Sequence, residues 1–447
     1  MPTLGLSMIV KNEALTLRFC LESVRAAVSQ IVVVDTGSTD DTVVIAREMG
    51  ATVISKPWNK DFAGARNAGL QLMQTDWVLV LDADEELDIK AATSLPGLLV
   101  GDAAGYLVPI RNYVPTATGR GWDRVTVAND GSHPRAKNAP ACFVHENCRL
   151  FRRDPEIYFT GRVHELVEHR ISALNLRLSR ANFCIHHFGQ LEAEEARARK
   201  ASAYLELLRL KVREMPDDAL AWVQLGLQEY ECSRECQAAL QCFDRALQLQ
   251  PHASEAWVFK GMVLLDAGQH QIALEALDRV DASSPSKALG AHLKGDALHN
   301  LGRLEEARAA YRRAVRLTQD DPVVLSKLGY TEVRMGQARR GLETLMRAAK
   351  AAPRTAEIRE RLMRACIVLD RLPEAAEHAE ELTRIDSQPR SYLRAASVWM
   401  QLEQKEKASR LLELGLKLFP ASTDLQRAWH ELSLGSTPNP RFAAGKA

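Results

Sequence analysis

The sequence of 447 residues lacks long hydrophobic runs and has almost no net charge. No apolar stretch is long enough to cross a bilayer, and the first ten residues show neither a basic leader nor a cleavage site. The formal net charge of +1 excludes the electrostatic footprint of a nucleic-acid-binding or polybasic membrane-binding protein. We therefore expect a cytoplasmic protein whose contact with a membrane is at most peripheral.

Cysteine is also scarce, and its spacing is uninformative. The chain has eight cysteines, none of which forms a Cys-x-x-Cys pair. A chain of this length buries ample core without cross-links, so reduced thiols are expected rather than disulfides.

The composition changes near residue 190, which predicts a domain boundary there. Before this point, short apolar runs alternate with helical patterns and with segments rich in glycine and proline. After it, alanine, leucine, glutamate and arginine recur with helical periodicity almost to the end. We expect two or three domains, with the first spanning residues 1–190.

The first domain begins with three apolar runs that predict strands, at residues 4–10, 31–34 and 51–55. Helical patterns separate them, and alternating strands and helices indicate an α/β domain with a mainly parallel sheet.

The run Trp77–Leu81 is a further predicted strand, and Asp82 and Asp84 follow it directly. Five consecutive apolar residues suit a strand that is buried on both faces. Ligands of open α/β sheets bind at the carboxyl edge, and residues two apart on an extended chain point to the same side. Asp82 and Asp84 are therefore candidate ligands of a divalent cation. The alternative is an acidic turn that opens a helix at residues 84–86.

Polar residues follow the other runs in the same way. Glu13 and Asp35 lie just past the first two strands, and Arg66 lies in a glycine-containing segment before the fourth. A parallel sheet brings such residues to one edge. Arg66 offers a planar fork for a phosphate or a base, whereas the alternative is a solvated helix face.

Four segments together resemble the family 2 inverting glycosyltransferases of GT-A fold, a Rossmann-like α/β architecture. They are SMIVKNE ending at Glu13, VVVDTGSTD from Val32, ARNAG from Ala65 and LDADE from Leu81. The resemblance covers about the first 190 residues and is strongest over the first 90. It implies transfer of a sugar from a nucleotide-diphosphate donor, with Mg²⁺ or Mn²⁺ as cofactor.

The resemblance also implies roles for the residues that match these segments. Asp35 is expected to contact the nucleobase, and Glu13 to lie near the nucleoside. Arg66 is expected near the base or the diphosphate. Asp82 is expected by the ribose or the metal, and Asp84 as the main metal ligand.

Two later segments, GRVHE ending at Glu165 and IHHFG from Ile185, resemble a subset of this family that includes enzymes of lipopolysaccharide core assembly. An inverting transferase needs a base for the proton of the acceptor, usually a carboxylate, and Glu165 is the candidate. His164 or His187 is a candidate to complete the metal shell. The pair His145-Glu146 competes with these residues.

A long segment, residues 115–140, is rich in glycine, proline and charge and reads as a loop. Loops of this length are usually functional or disordered, and this one is expected to close over the donor or the acceptor.

The second half repeats itself with a period of 34 residues. Pro251 and Pro285 are separated by one period, and Pro353 follows two periods later. Small and large apolar residues recur in the same frame, which resembles the tetratricopeptide repeat, a helix–turn–helix unit. We predict about six repeats in residues 217–420.

Flanking segments complete this all-α superhelix. A lead-in helix is predicted at residues 191–216, a capping helix at 421–435 and a disordered tail at 436–447. The concave groove of such a stack commonly binds peptides or mediates self-association, so a protein partner is expected there.

These observations predict a metal-dependent glycosyltransferase whose repeats recruit the acceptor or a partner. A protein or peptide acceptor is slightly favoured, because the resemblance extends to enzymes that glycosylate peptides and carry helical repeats. One alternative is a cell-envelope glycan or lipopolysaccharide-core transferase. Another is a non-catalytic scaffold that binds proteins through its repeats.

Overall fold

The structure, a computed structural model, describes residues 2–115, 127–192 and 194–433. The chain divides into two compact units, Met1–Leu249 and Gln250–Ala447, which are considered separately below. None of the helices in the described ranges is long and apolar enough to cross a membrane.

The first unit starts with four parallel strands. They are β1 (Leu4–Val10), β2 (Gln30–Asp35), β3 (Thr52–Ser55) and β4 (Trp77–Val80), and their order in the sheet is β3-β2-β1-β4. Helices α1 (Leu17–Val24), α2 (Thr42–Glu48) and α3 (Phe62–Leu70) connect them. This half of the sheet is the α/β arrangement that the sequence predicts.

The rest of the sheet is mixed. The strands are β5 (Glu85–Leu87), β6 (Gly105–Val114), β7 (Val127–Ala128), β8 (Ala141–Arg152), β9 (Leu178–Arg180) and β10 (Ile185–His187). From β4 the order continues β8-β6-β10-β5, with β8 antiparallel to both neighbours and β10 parallel to β6 but antiparallel to β5. Helices α4 (Ala91–Leu99) and α5 (Glu168–Ala173) belong to the same unit.

Strand β4 is buried on both faces. Leu79 packs into the core that includes α1, whereas Val78 and Val80 pack into a second core with Phe151 of β8. The strand ends at Val80, one residue earlier than predicted. The predicted alternative of a helix opening at residues 84–86 is wrong, because Glu85–Leu87 pair with β10 as a strand.

Three helices complete the first unit: α6 (Glu194–Glu214), α7 (Ala219–Ser233) and α8 (Cys236–Leu249). Helix α6 is attached to the sheet domain by charged and aromatic contacts. Glu206 pairs with Lys60 at 3.3 Å, Glu214 pairs with Arg162 at 2.6 Å, and Lys211 donates to the carbonyl oxygen of Val163. The composition changes near residue 190, but the compact unit therefore continues beyond it.

The second unit consists of helix pairs. Its helices are α9 (Ser254–Asp266), α10 (His270–Leu277), α11 (Lys287–Asn300), α12 (Leu304–Leu317), α13 (Pro322–Arg334), α14 (Ala338–Ala351), α15 (Ala356–Val368), α16 (Leu372–Ile385), α17 (Pro389–Gln401), α18 (Lys405–Leu418) and α19 (Thr423–Ser433).

Small residues allow the paired helices to approach closely. A side chain at Gly261 would collide with Leu277, and one at Gly295 would collide with Tyr311. The two glycines are 34 residues apart, and so are the two large residues that they meet. Gly226 meets Phe243 in the same way between α7 and α8. The helix pairs thus repeat one packing solution.

Two predicted segments lie partly or wholly outside the described residues. Of the predicted loop at 115–140, residues 116–126 lie outside them, and the rest contains β7 and a short 3-10 turn at Pro134–Ala136. The predicted disordered tail at 436–447 lies wholly outside them.

Candidate active site

The candidate active site lies at the carboxyl edge of the parallel strands. Val10 is in register with Asp35 of β2, and Ser7 is in register with Val80 of β4. Since β2 and β4 flank β1, these two strands lie about 10 Å apart, two strand spacings. The topology therefore brings the segments that contain Glu13, Asp35 and Asp82 to one edge.

Asp35 closes β2 with a tight turn. Its carboxylate accepts hydrogen bonds from the backbone N–H groups of Gly37 at 3.2 Å and Ser38 at 3.0 Å. The side chain of Asn12, from the loop after β1, accepts a bond from the N–H of Thr39 at 2.8 Å. The loops after β1 and β2 are thus tied into one rim. Asn12 does this from the left-handed conformation, with φ of 57°, that asparagine tolerates.

Arg66 joins two carboxylates from distant parts of the chain. Asp61 caps the start of α3 by accepting from the N–H of Gly64, and the helix then aims Arg66 at the sheet edge. Nη2 of Arg66 lies 2.7 Å from Oδ1 of Asp82, and Nε lies 2.6 Å from Oε1 of Glu165. The structure thus unites three of the predicted residues in one ion-paired cluster.

Arg149 of β8 belongs to this cluster, although the sequence analysis did not identify it. Its Nη2 lies 3.2 Å from Oδ2 of Asp82 and 2.8 Å from Oε1 of Glu85. Burial acts to raise the pKa of Asp82, but the charges of Arg66 and Arg149 outweigh it and hold that pKa well below its usual range. The available signal was an arginine flanked by the apolar residues Cys148 and Leu150.

Asp84 meets His187 rather than Asp82. Nε2 of His187 lies 3.3 Å from Oδ2 of Asp84, and Nδ1 lies 2.6 Å from the side-chain oxygen of Asn112. An amide oxygen only accepts, so Nδ1 donates to Asn112, and Nε2 donates to Asp84 when the ring is protonated. Burial lowers the pKa of His187, but the charge of Asp84 outweighs this and raises it to about 9.

The backbone of Gly189 packs closely against this pair. A Cβ atom at this position would lie 2.8 Å from Nε2 of His187 and closer still to Oδ2 of Asp84. A side chain at position 189 would therefore collide with both of these atoms. The carboxylate and the imidazole together suit a divalent cation.

Glu13 and His164 differ in their surroundings. Burial raises the pKa of Glu13 to about 7; Lys200 of α6 opposes this, and Asp84 adds to it. Burial and the charge of Lys211 lower the pKa of His164 to about 4, so its ring is neutral at pH 7. His164 also adopts a left-handed backbone, with φ of 53°.

His164 lies against α6 rather than beside Asp84. Its ring centroid is 6.0 Å from that of Tyr204, which also stacks on Phe62 at 5.6 Å. Tyr204 and Lys200 lie in the segment predicted only as a lead-in helix, where helical periodicity alone gave no sign of a place near the site.

The two residues of the competing pair, His145 and Glu146, contact different partners. Nδ1 of His145 lies 2.8 Å from the side-chain nitrogen of Asn112, the residue that orients His187. Glu146 pairs with Arg180 at 3.1 Å. His145 therefore contributes to the surroundings of His187 through Asn112, whereas Glu146 forms an ion pair with the exposed Arg180.

The sequence matches known families in both halves. Residues 6–157 match glycosyl transferase family 2. Residues 295–336 match one tetratricopeptide repeat family, and residues 233–288 and 326–389 match another.

Relatives carry one or both of these parts. A TPR repeat-containing protein of Synechococcus elongatus is 29% identical over 75% of this chain and 89% of its own length. An uncharacterized glycosyltransferase of Rickettsia felis is 46% identical over 18% of this chain and 28% of its own. The SPbeta prophage-derived glycosyltransferase SunS of Bacillus subtilis is 38% identical over 19% of this chain and 20% of its own. The last two matches thus cover only a small part of those relatives.

The four parallel strands β1 to β4 and their acidic edge lie almost wholly within the residues that match glycosyl transferase family 2. The chain carries a family 2 glycosyltransferase domain at its N-terminus and tetratricopeptide repeats in its C-terminal half. The resemblance drawn from the sequence motifs is confirmed.

Proposed function

We propose that the protein is a metal-dependent inverting glycosyltransferase that uses a nucleotide-diphosphate sugar. The observation that carries this proposal is the Asp84–His187 pair, a carboxylate and an imidazole 3.3 Å apart, next to the Arg66–Asp82 cluster. A cation-binding pair next to a fixed arginine suits a diphosphate, which needs both positive charge and oriented donors.

The donor is bound along the sheet edge in this proposal. Asp35 contacts the nucleobase and Glu13 lies near the nucleoside, because they border the loops after β2 and β1. Arg66 faces the diphosphate or base. Asp82 holds Arg66 in place beside the ribose, since both of its oxygens already accept from arginines. Each oxygen keeps a second lone pair, so Asp82 can also contribute to the proposed metal shell.

Asp84 and His187 are the proposed ligands of Mg²⁺ or Mn²⁺. A bound cation neutralises the charge that develops on the departing diphosphate. Asn112 fixes the His187 ring so that Nε2 faces Asp84, and glycine at position 189 avoids a collision with both proposed ligands. His164 is a positioning residue here, because it packs on Tyr204 of α6.

Glu165 is the proposed base that takes the proton of the acceptor. Arg66 holds its Oε1 oxygen, which fixes the carboxylate beside the proposed diphosphate position. Glu13 is the alternative base, favoured by a pKa raised to about 7 near the charge of Asp84. Glu165→Gln is expected to lower kcat about 10²–10⁴-fold. The same loss in Glu13→Gln, with Glu165→Gln nearly unchanged, would reverse the assignment.

The repeats are proposed to recruit the acceptor or a protein partner. A protein or peptide acceptor is favoured because stacked helical repeats present extended surfaces for polypeptides. A cell-envelope glycan is the second acceptor class, and the cytoplasm is the proposed compartment.

The metal proposal is tested by donor hydrolysis in the full-length protein. A mass-spectrometric screen of sugar nucleotides first identifies a donor that binds. Its hydrolysis with Mg²⁺ or Mn²⁺ is then compared between the wild type, Asp84→Asn and the exposed control Glu22→Gln. Asp84→Asn is expected to lose about 100-fold or more, since metal stabilisation of the leaving group contributes several kcal/mol. Unchanged hydrolysis in Asp84→Asn would refute metal dependence, and no binding of any sugar nucleotide would favour the non-catalytic scaffold.

The recruitment proposal is tested by truncation after Leu249. A cut near residue 200 would remove Tyr204 from Phe62 and His164, so loss of activity there would be ambiguous. A chain of residues 1–249 retains the whole first unit. Circular dichroism should show that it folds, and we expect it to hydrolyse donor but transfer little sugar to the acceptor. Full transfer would exclude a recruiting role for residues 250–447.

A further inference from the structure

A second group of potential metal ligands lies across the β5–β10 pair. Asp88 follows β5, and Cys184 and His186 stand two residues apart at the start of β10. Oδ2 of Asp88 lies 3.2 Å from Nε2 of His186 and 3.4 Å from Sγ of Cys184, and Sγ lies 3.8 Å from Nε2. One oxygen, one nitrogen and one sulfur atom therefore converge on a single point.

These three atoms are held by other contacts. The Tyr113 hydroxyl lies 2.8 Å from Nδ1 of His186, which leaves Nε2 facing the cluster. The other oxygen of Asp88 accepts from the backbone N–H of Lys90 at 2.7 Å, and the N–H of Asp88 donates to the carbonyl oxygen of Cys184 at 3.0 Å. A partner on the second nitrogen of a histidine is the usual way in which proteins orient a metal-binding ring.

The separations match a tetrahedral coordination shell. Zinc bonds of about 2.3 Å to sulfur and about 2.0–2.2 Å to nitrogen or oxygen give tetrahedral edges of about 3.3–3.6 Å. The observed edges of 3.2, 3.4 and 3.8 Å lie close to this range. A cation at their centre would displace the thiol proton, while the proton of the neutral ring would lie on Nδ1 and be donated to the Tyr113 hydroxyl oxygen.

We infer that Asp88, Cys184 and His186 form a binding site for a borderline-soft divalent cation of the zinc class. The mixed sulfur, nitrogen and oxygen set favours zinc over Mg²⁺ or Mn²⁺, which prefer oxygen ligands. The side chains of His186 and Asp88 are 3% and 16% exposed, so the site is nearly closed but reachable from solvent on one side. Three protein ligands leave a fourth position for water.

This site is separate from the proposed donor site. Neighbouring residues on a strand point to opposite faces, so His186 and His187 serve different sides of β10. His187 faces Asp84, whereas His186 faces Asp88. A cation at Asp88 would cross-link β5 to β10 and so hold the segment that carries His187.

The test is a Co²⁺ and Zn²⁺ titration of the full-length protein after removal of metal with a chelator. Cobalt bound to a thiolate gives a charge-transfer absorption band that carboxylate and imidazole ligands do not produce. We expect a wild-type band that saturates at one equivalent of Co²⁺ and is displaced by Zn²⁺. Zinc should also raise the midpoint of thermal unfolding.

Matched variants assign the band to this site. Cys184→Ser should abolish it, and Asp88→Asn should weaken Co²⁺ binding about tenfold or more. The double variant Cys232→Ser/Cys236→Ser, which lacks two cysteines of helices α7 and α8, should retain it. Asp84→Asn should also retain it, which distinguishes this site from the proposed donor site. Circular dichroism establishes that each variant folds.

No thiolate band in the wild type, or an unchanged band in Cys184→Ser, would overturn the proposal. Loss of the band in Asp84→Asn with Cys184 intact would assign the cation to the other face of β10 and would also overturn it.

Discussion

The Nε2 atom of His187 lies 3.3 Å from Oδ2 of Asp84, although 103 residues separate the two along the chain. The antiparallel pairing of β5 with β10 creates this contact, because it sets His187 opposite Glu85, the residue after Asp84. A histidine from the end of the domain thereby joins the acidic segment after β4. This relationship gives the first two predictions.

Metal binding at this pair should depend on pH. The charge of Asp84 raises the pKa of His187 to about 9, so below that pH a cation must displace the proton from Nε2. The affinity for Mn²⁺ should therefore rise up to about tenfold per pH unit and level off above about pH 9. Calorimetric titration at pH 6.5, 7.5 and 8.5 measures this. His187→Gln should bind more weakly with a flatter profile, and a flat wild-type profile would exclude His187 as a ligand.

Adding a side chain at Gly189 should disturb the Asp84–His187 site without changing any charge. Gly189→Ala places a methyl group against Nε2 of His187 and Oδ2 of Asp84. We expect Mn²⁺ affinity and donor hydrolysis to fall about 10–100-fold, as when a supporting contact of a metal ligand is lost. Gly97→Ala, where a Cβ would meet no atom within 4 Å, is the matched control. Equal activity in both variants would mean that no ligand binds at these two atoms.

Arg66 should contribute to stability as well as to donor binding. Arg66→Met leaves the carboxylates of Asp82 and Glu165 without their shared partner, and breaking such a buried pair costs about 3–5 kcal/mol. Urea unfolding measures this loss. Arg18→Met, which breaks a surface pair with Glu48 and a weak contact with the Met49 sulfur, should cost about 1 kcal/mol or less.

The conservative change Arg66→Lys separates charge from geometry. An ammonium group retains the positive charge but not the planar fork that reaches both carboxylates. We expect most of the stability to remain while the affinity for the sugar nucleotide falls. Equal losses of stability in Arg66→Lys and Arg66→Met would show that the fork is needed mainly for folding.

His164 should make the fold sensitive to acid. Its pKa is lowered to about 4 from an ordinary 6.5, so between these values the unfolded chain binds a proton that the folded chain excludes. The free energy of unfolding should therefore decrease as pH falls below about 6.5, by up to roughly 1.4 kcal/mol per unit, and level off below about 4.

The variant His164→Asn removes this titration and keeps a residue that tolerates the left-handed backbone. Between pH 7 and 5 it should lose less stability than the wild type, as measured by urea unfolding. His169→Asn, which changes an exposed histidine five residues away, should behave like the wild type. The same pH dependence in all three proteins would place the acid sensitivity elsewhere.

Local signals predicted the first half of the sheet. The apolar runs around Leu6, Val33 and Leu79 form β1, β2 and β4 because each is buried and short. Parallel strands separated by helices must place their carboxyl ends at one edge, so the convergence of Asp35 with the Asp82 segment followed from topology.

The partners of these carboxylates depend on long-range pairing that no local pattern reveals. Arg149 reaches Asp82 because β8 runs antiparallel to β4, and the sequence does not encode that pairing in any short segment. Acidic residues favour the first turn of a helix, which is why a helix start at Glu85 was one alternative. Glu85 instead lies in β5, where it pairs with His187 of β10. Tyr204 and Lys200 lie in a segment that the sequence predicts only as a lead-in helix, and only tertiary contacts bring them near the site.

The three residues of β10 carry two adjacent histidines with different surroundings. A slip of one residue in the pairing of a strand reverses which side chains face each side of a sheet. Inserting or deleting a single residue next to His186 would therefore exchange the surroundings of the two imidazoles, even though both rings remained in the chain. We expect engineering of this region to tolerate changes of side chain far better than changes of length.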